Sequence, residues 1–437
     1  MLIEFKLKNF KSFKDEMKLS MVASSITENP SNLISKTKNP KLLKSAAIYG
    51  ANSSGKSNLF DAINFMRWFV INSSKESQSG DKISVEPFKL STITENEPSS
   101  FEVSFIHDDT QFRYGFSTTQ TKITEEWLYY VLNNKEIQLF KRQNDKIGID
   151  QEKFKEGQGL DNTTDHDQPK RTRENALFLS VVAQFNGEIS KKIVLWFRRL
   201  TIICGLNDSD YMEDSIKMLK DSNQHKERTV SLLKSVGMNI TSLEVESITF
   251  NENQIPSALP EERKNKLLSE GYDALIVTKN RFDNNKMIEG TISWHYTRES
   301  EGTQKTIGLS GPIFRALDNN GVLIIDEFDT RLHPLMSQFF ISLFHSLETN
   351  KGQAQLIFST HDTNMLSADL FRRDQIWFIE KTHEDSSDLY SLVEYKLENN
   401  KKIRKDEDYE KNYIAGKYGA IPYINQETLK QLLSRKL

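Results

Sequence analysis

Four short groups of residues have types and spacing suited to handling a polyphosphate. The first is Gly50-Ala51-Asn52-Ser53-Ser54-Gly55-Lys56-Ser57, two glycines bracketing a four-residue spacer and followed by a lysine and a hydroxyl. Glycines there let successive backbone N–H groups converge on phosphate oxygens. Lys56 can then reach the β- and γ-phosphates, and the Ser57 hydroxyl is a ligand for Mg²⁺. The second group, Asp326-Glu327, ends the apolar run Val322-Leu323-Ile324-Ile325. A carboxylate at that place, Asp326, can hold Mg²⁺, and Glu327 can polarise an attacking water as general base; alone, the pair also reads as charged residues capping a strand. The third is His361, in Ser359-Thr360-His361-Asp362 after the apolar Leu356-Ile357-Phe358. A histidine so placed can hydrogen-bond a γ-phosphate or the attacking water, although a lone histidine is often structural. The fourth, Ser300-Glu301-Gly302-Thr303-Gln304, precedes a helical pattern and offers a second anion site at a helix start. It reads equally as an ordinary N-cap.

These groups need particular elements around them. Ala46-Ala47-Ile48-Tyr49 is a short apolar strand running into the glycine loop, and residues 58–70 carry Leu59, Ile63, Phe65, Met66 and Phe69 at helical spacing. A phosphate loop between strand and helix is the context its chemistry requires. Residues 101–140 alternate apolar and polar in three runs, the pattern of an antiparallel meander. Residues 143–175 read as a long polar loop, 176–200 as largely helical, and 210–237 as helices with charged faces. Strand-like stretches follow near 242–250, 274–277 and 292–296, and from 322 onward strands and helices alternate, as in a mostly parallel, covered sheet. The expected organisation is a first lobe over 1–205, a mainly helical insert over 206–290, a second lobe over 291–400 and a tail over 401–437.

The chain has 437 residues, a formal net charge of −3, 27% charged residues and a mean hydropathy of −0.57. No apolar run is long enough to span a bilayer, and the opening Met1-Leu2-Ile3-Glu4-Phe5-Lys6 alternates like a strand rather than a signal peptide. The single cysteine, Cys204, excludes an intramolecular disulfide and a cysteine-rich zinc site. A reducing cytoplasm is the expected setting. The near-neutral balance argues against a basic nucleic-acid coat, yet local clusters such as Lys191 and Lys192 or Arg198 and Arg199 can still meet phosphates or acidic proteins. Neither internal repeats nor sustained heptads occur.

Taken together, the motifs resemble the ABC-type ATPase heads of the SMC/RecF group. The matching residues are Asn9-Phe10-Lys11-Ser12, the phosphate loop with Asn52 and Asn58, the signature Glu299-Ser300-Glu301-Gly302-Thr303-Gln304, Asp326-Glu327-Phe328-Asp329 with Leu332-His333-Pro334, and Ser359-Thr360-His361-Asp362. More narrowly, the chain is similar to the AAA-family ATPases of prokaryotic abortive-infection and anti-phage defence, such as the ATPase subunits of the PARIS and abortive-infection L systems. Arg372-Arg373-Asp374-Gln375-Ile376-Trp377-Phe378 and Gly416-Lys417-Tyr418-Gly419-Ala420-Ile421-Pro422-Tyr423 carry that likeness.

The resemblance implies an α/β fold: an ABC-type head with a phosphate-loop mixed sheet, an antiparallel β meander, a helical insert and no long coiled coil. It implies ATP and Mg²⁺ as cofactors. Gly50, Asn52, Ser53, Gly55, Lys56, Ser57 and Asn58 would bind nucleotide in cis, with Glu327, His361 and Lys56 catalytic and Ser57 and Asp326 on the metal. Ser300 and Gly302 of a second copy would close the site, so a homodimer or a higher even-numbered homo-oligomer is implied. Asp329 would sit in the loop that speaks across that interface. A glutamine loop should lie between phosphate loop and signature, and Gln184 is the candidate. The signature departs from Leu-Ser-Gly-Gly-Gln. The implied role is an ATP-hydrolysing sensor and scaffold that controls a separate toxic effector such as a nuclease, with a phage protein as trigger. The alternative is a RecF-like ATPase that grips DNA in repair or recombination. A third reading is a scaffold that binds ATP without turnover.

Overall fold

The computed structural model describes residues 1–34, 40–76, 78–133, 135–162, 170–256, 259–396 and 403–422. Parts of the expected polar loop (163–169) and of the tail (401–402 and 423–437) lie outside them. The first lobe runs β1 (Leu2–Lys8), β2 (Met17–Ser20), β3 (Ser45–Tyr49), α1 (Lys56–Asn72), β4 (Ser99–His107), β5 (Thr110–Thr118), β6 (Ile123–Leu132), β7 (Lys135–Gln143), β8 (Lys146–Ile149), α2 (Phe178–Gln184), α3 (Glu188–Arg198) and β9 (Leu200–Cys204). An insert follows: α4 (Asp208–Asp221), α5 (Asn223–Ser235), β10 (Ser242–Ile248), α6 (Glu261–Glu270), β11 (Tyr272–Phe282) and β12 (Ile288–His295). The second lobe holds α7 (Glu301–Asn319), β13 (Val322–Asp326), α8 (Pro334–His345), β14 (Gln355–Ser359), β15 (Ile376–Lys381), β16 (Ser387–Ser391) and α9 (Tyr409–Ile414).

Among the described residues these strands form three sheets. The first lobe's meander is antiparallel, in the order β2-β1-β4-β5-β6-β7-β8. The central sheet runs β16-β15-β3-β14-β13-β9 and is parallel except for β16 at one edge. β13 explains why that sheet is covered on both faces. All four residues of Val322–Ile325 are buried, Val322 and Ile324 in the core shared with the meander and Leu323 and Ile325 in the core under α7 and α8. A continuous apolar strand of this kind needs helices or a sheet on each side.

Helix α1 fills the space between the two sheets. Leu59, Ile63 and Met66 pack with Ile48, Ile324 and Ile357 of the parallel sheet and with Phe5, Phe101 and Phe116 of the meander. Phe65 lies 5.0 Å from Phe101 and Phe69 lies 5.5 Å from Phe116, centroid to centroid. Burial of each such ring contributes about 1.5–3 kcal/mol, so the helix that follows the phosphate loop is held rigidly from both sides. Among the described residues α7, at 19 residues, is the longest helix, and no helix is long and apolar enough to cross a membrane.

Two local expectations change. The polar stretch after β7 is partly structured: β8 forms, and a 3₁₀ turn at Lys155–Gly157 is anchored by the buried Phe154. Glu156 in that turn accepts from the N–H groups of Ile189 (2.9 Å) and Ser190 (2.8 Å), capping α3 from a distance. The insert is mainly helical but also carries a three-stranded sheet, in which β10, β11 and β12 pair antiparallel. Only one face of that sheet is apolar. Leu243, Leu275 and Val277 meet Met212, Ile216, Leu219 and Leu233 of α4 and α5, whereas β12 is largely exposed, so its alternation is faint in the sequence.

Candidate active site

β3, β14 and β13 are adjacent parallel strands, so whatever follows their carboxyl ends lies along one edge of the sheet. Neighbouring strands are about 4.8 Å apart. That edge therefore gathers the phosphate loop after β3, Thr360-His361 after β14, and Asp326-Glu327 at the end of β13. In open α/β sheets this is where ligands bind.

The loop is shaped by close approaches that only glycine allows. A Cβ on Gly50 would stand 2.4 Å from the Ile379 carbonyl oxygen, and Gly55, at φ +115°, caps α1 with Ser12 Oγ only 2.7 Å from where its Cβ would be. Ser53 is also left-handed, at φ +65°. The first N–H groups of a helix lack intrahelical partners and carry a positive dipole end, so the start of α1 favours an anion. Ser54 Oγ is buried there with no hydrogen-bond partner. Lys56 Nζ folds back to donate to the Gly50 (2.9 Å) and Ala51 (3.0 Å) carbonyls. Burial pushes its pKa below the usual lysine range, while Asp326, Glu327 and Asp329 pull it upward. An orphaned hydroxyl at the start of a helix, with a lysine and three carboxylates near it, suits a nucleotide's phosphates and a bound Mg²⁺.

The loop is braced from behind by residues distant in sequence. Asn58 Nδ2 donates to Ser12 Oγ (2.8 Å), so its amide serves the loop rather than pointing outward. Ser387, opening β16, donates from its N–H to the Ser12 carbonyl (2.7 Å) and from its hydroxyl to the Ser54 carbonyl, while its Oγ meets Ser12 Oγ at 2.8 Å. Asn9 and Lys11, at φ +54° and +48°, make the tight turn that presents Ser12.

β14 positions the carboxylates. Ser359 Oγ donates to Asp326 Oδ1 and accepts from the Glu327 N–H (2.7 Å), while the Phe328 N–H bonds the Ser359 carbonyl (3.0 Å). Glu327 is left-handed, at φ +53°, a conformation that costs a non-glycine residue about 1–3 kcal/mol and persists only where neighbours enforce it. Gly205 is one such neighbour. Its N–H donates to the Asp326 carbonyl (2.6 Å), and a Cβ there would lie 2.9 Å from that oxygen. The His361 N–H reaches Asp329 Oδ1 (3.3 Å). Burial, then the Lys56 charge, holds the imidazole below its usual 6.5 against the pull of Asp329, Glu327 and Asp326, so His361 is neutral at neutral pH.

Two predicted groups are not brought to this edge. Ser300 caps α7, accepting from the Thr303 N–H (3.3 Å), and Gly302 lies beside the Arg331 carbonyl. Among the described contacts none joins residues 300–304 to the phosphate loop of the same chain. Gln184 is a correction. It ends α2 beside Val70, Ile71 and Ser74, at the far end of α1 from Lys56. The 17-residue α1 spans about 25 Å, so Gln184 cannot act as a glutamine loop in its own chain's site.

Sequence reasoning missed a network, built on the fully buried Lys305, that ties α7 to the carboxylates. Lys305 of α7 donates to the Gly205 carbonyl and lies 3.6 Å from Asp208, which pairs with Arg331 at 2.7 Å. Nothing in the sequence flagged Lys305, because a lysine in a helix is normally read as solvated. Ser387 was equally silent, and Ser359 stood only as a member of the string around His361 with no role of its own, since both roles depend on strand pairing.

Residues 45–367 match the family model described as AAA domain, putative AbiEii toxin, type IV TA system. No curated protein matches the chain. Among solved structures the chain is similar to the SMC head domain from Thermotoga maritima (14% identity, 89% of this chain and 98% of that one, TM-score 0.40). It is also similar to an SMC head bound to the C-terminal winged-helix domain of ScpA (13%, 89% and 97%, 0.43) and to RecF with ATP from the RecFOR pathway (14%, 89% and 97%, 0.34).

Proposed function

The chain belongs to the AAA-domain family described as putative AbiEii toxin of type IV toxin–antitoxin systems, and on that premise we propose that it binds and hydrolyses ATP in a clamped homodimer and thereby controls a separate toxic effector in an abortive-infection response. The observation that carries the reading is the separation of the two half-sites. The phosphate loop, Asp326-Glu327 and His361 share one sheet edge, while the Ser300 cap makes no described contact with them. A second copy is the natural source of the missing half.

In this reading the first-turn N–H groups of α1 and the Ser54 hydroxyl hold phosphate oxygens, and Lys56 turns from the Gly50 and Ala51 carbonyls toward the β- and γ-phosphates. Mg²⁺ takes hard oxygen donors and few protein ligands, so Ser57 and Asp326 suffice; bound there it would neutralise phosphate charge. Glu327 accepts a proton from the attacking water, and the neutral His361 hydrogen-bonds the γ-phosphate or that water. Ser300 and the N–H groups around Gly302, from the partner copy, close over the γ-phosphate. The defence role is supported by the family description, which names a toxin of a type IV toxin–antitoxin system; a phage protein as trigger is part of the proposal.

The test is turnover and partner capture. Wild-type protein should hydrolyse Mg-ATP, and the chain co-expressed with its neighbouring genes should co-purify with a toxic protein. A chain that binds nucleotide without turnover would be a scaffold. Salt-sensitive DNA binding that tightens with ATP, without a protein partner, would instead mark a repair ATPase.

A further inference from the structure

Among the described residues β9 closes one edge of the central sheet, paired to β13 on one side and to no strand on the other. No described hydrogen bond occupies the open side of Leu200–Ile203. A groove of about 390 Å³ runs along that side, lined by Leu200, Thr201, Ile202 and Ile203 and walled by α1, the end of α3, α4 and α7. Exposed edges template pairing with another chain, and proteins usually blunt them with charges, proline or bulges on the strand itself. β9 reads Leu-Thr-Ile-Ile-Cys and carries none of these.

The charge lies on the walls instead. Arg67, Arg198, Arg199 and Arg315 line the groove, and among the described residues only Arg315 has a carboxylate partner, Asp214 at 2.9 Å. Arg67 Nε is buried with no hydrogen-bond partner. A second groove of about 390 Å³ continues from Arg198 and adds Lys75 and Lys191 with no acidic lining residue. A second copy of this edge would carry the same charge, so self-pairing is opposed. A slot one strand wide, with backbone groups free along its floor and unpaired guanidinium groups along its walls, fits an extended chain bearing carboxylates.

We propose that the β9 edge docks an extended, acidic segment of a partner protein, added as a strand beside β9 with its carboxylates on Arg67, Arg198 and Arg199. The proposal rests on the reading above only for the existence of a separate partner, and gives that partner its recognition chemistry. The docked strand would lie one strand away from Asp326, whose carbonyl accepts from Gly205 just beyond β9 (2.6 Å).

The experiment uses the full chain and a fluorescein-labelled peptide alternating valine with glutamate, read by polarisation and by amide hydrogen exchange. Saturable binding is expected, with added protection at Leu200–Cys204. It should weaken by about tenfold or more in Arg198→Glu/Arg199→Glu, whose exposed positions leave ATP turnover unchanged. N-methylation of one alternate set of peptide nitrogens should abolish binding, because strand pairing needs those N–H groups. Absence of binding overturns the proposal. So does equal binding of the methylated peptides or of a short single-stranded DNA, which would mark a general polyanion patch. Loss of peptide binding with ATP-dependent assembly intact sinks the docking site alone.

Discussion

At the scale of single residues, the proposed hydrolysis would depend on Glu327 and His361 being presented by neighbours rather than by their own strands. Glu327→Gln should retain nucleotide binding and lose turnover by about 10²-fold or more, the usual share of a general base, checked by nucleotide titration beside steady-state hydrolysis. For His361 the sign follows from its environment. Its pKa lies below 6.5, so the neutral form dominates at neutral pH, and hydrolysis should fall only as pH drops through that lowered value. His361→Gln should erase this acid limb in a pH–rate profile, and an unchanged limb would assign it to another group. The phosphate loop and carboxylates were legible from sequence because each is a contiguous string whose chemistry is local. The bracing roles of Ser12 and Ser359, quoted there only as motif members, and of Ser387 were not, since they appear only when pairing sets each serine beside Asn58, Asp326 or the Ser54 carbonyl. Gln184 failed for a related reason: its position between two motifs in the sequence says nothing of which end of α1 it meets.

At the scale of elements, the insert is anchored where α4 crosses α7. A Cβ on Gly311 would lie 2.9 Å from Ser215 Cα, backbone that cannot swing aside. Gly311→Val should therefore cost about 1–3 kcal/mol, read as a lowered denaturation midpoint, whereas an unchanged midpoint would mean that the crossing tolerates separation. His345, at the end of α8, gives a pH-dependent contact. Its Nε2 meets Ser45 Oγ at 2.8 Å, and burial, reinforced by Lys44, pushes the imidazole down to about 3. The unfolded chain binds a proton near 6.5 that the folded chain refuses. The contribution is thus complete above pH 6.5 and is lost as pH falls toward 3, at about 1.4 kcal/mol per unit. His345→Gln should flatten that part of the stability curve in denaturant titrations across the acid range. Strong periodicity made α1, the meander and β13 readable in advance. The insert's sheet was understated because β12 buries almost nothing and so carries little alternation.

At the scale of the whole molecule, the proposed function makes the single chain half of a site that a second copy would complete. The same sheet that lines up the phosphate loop, carboxylates and histidine on one edge leaves the Ser300 cap on α7 without a described contact to them. The pairing in trans was proposed from the sequence because each motif appears once in the chain, whereas the proposed acidic-strand dock on β9 needed the strand order and the position of Arg67. The most direct test is the solution mass of Glu327→Gln with and without Mg-ATP at fixed concentration, measured by light scattering. The expected result is a mass that at least doubles with ATP and that Ser300→Arg returns to the nucleotide-free value. A particle that stays monomeric under both conditions, although nucleotide is bound, would contradict clamping in trans and leave the signature outside the active site.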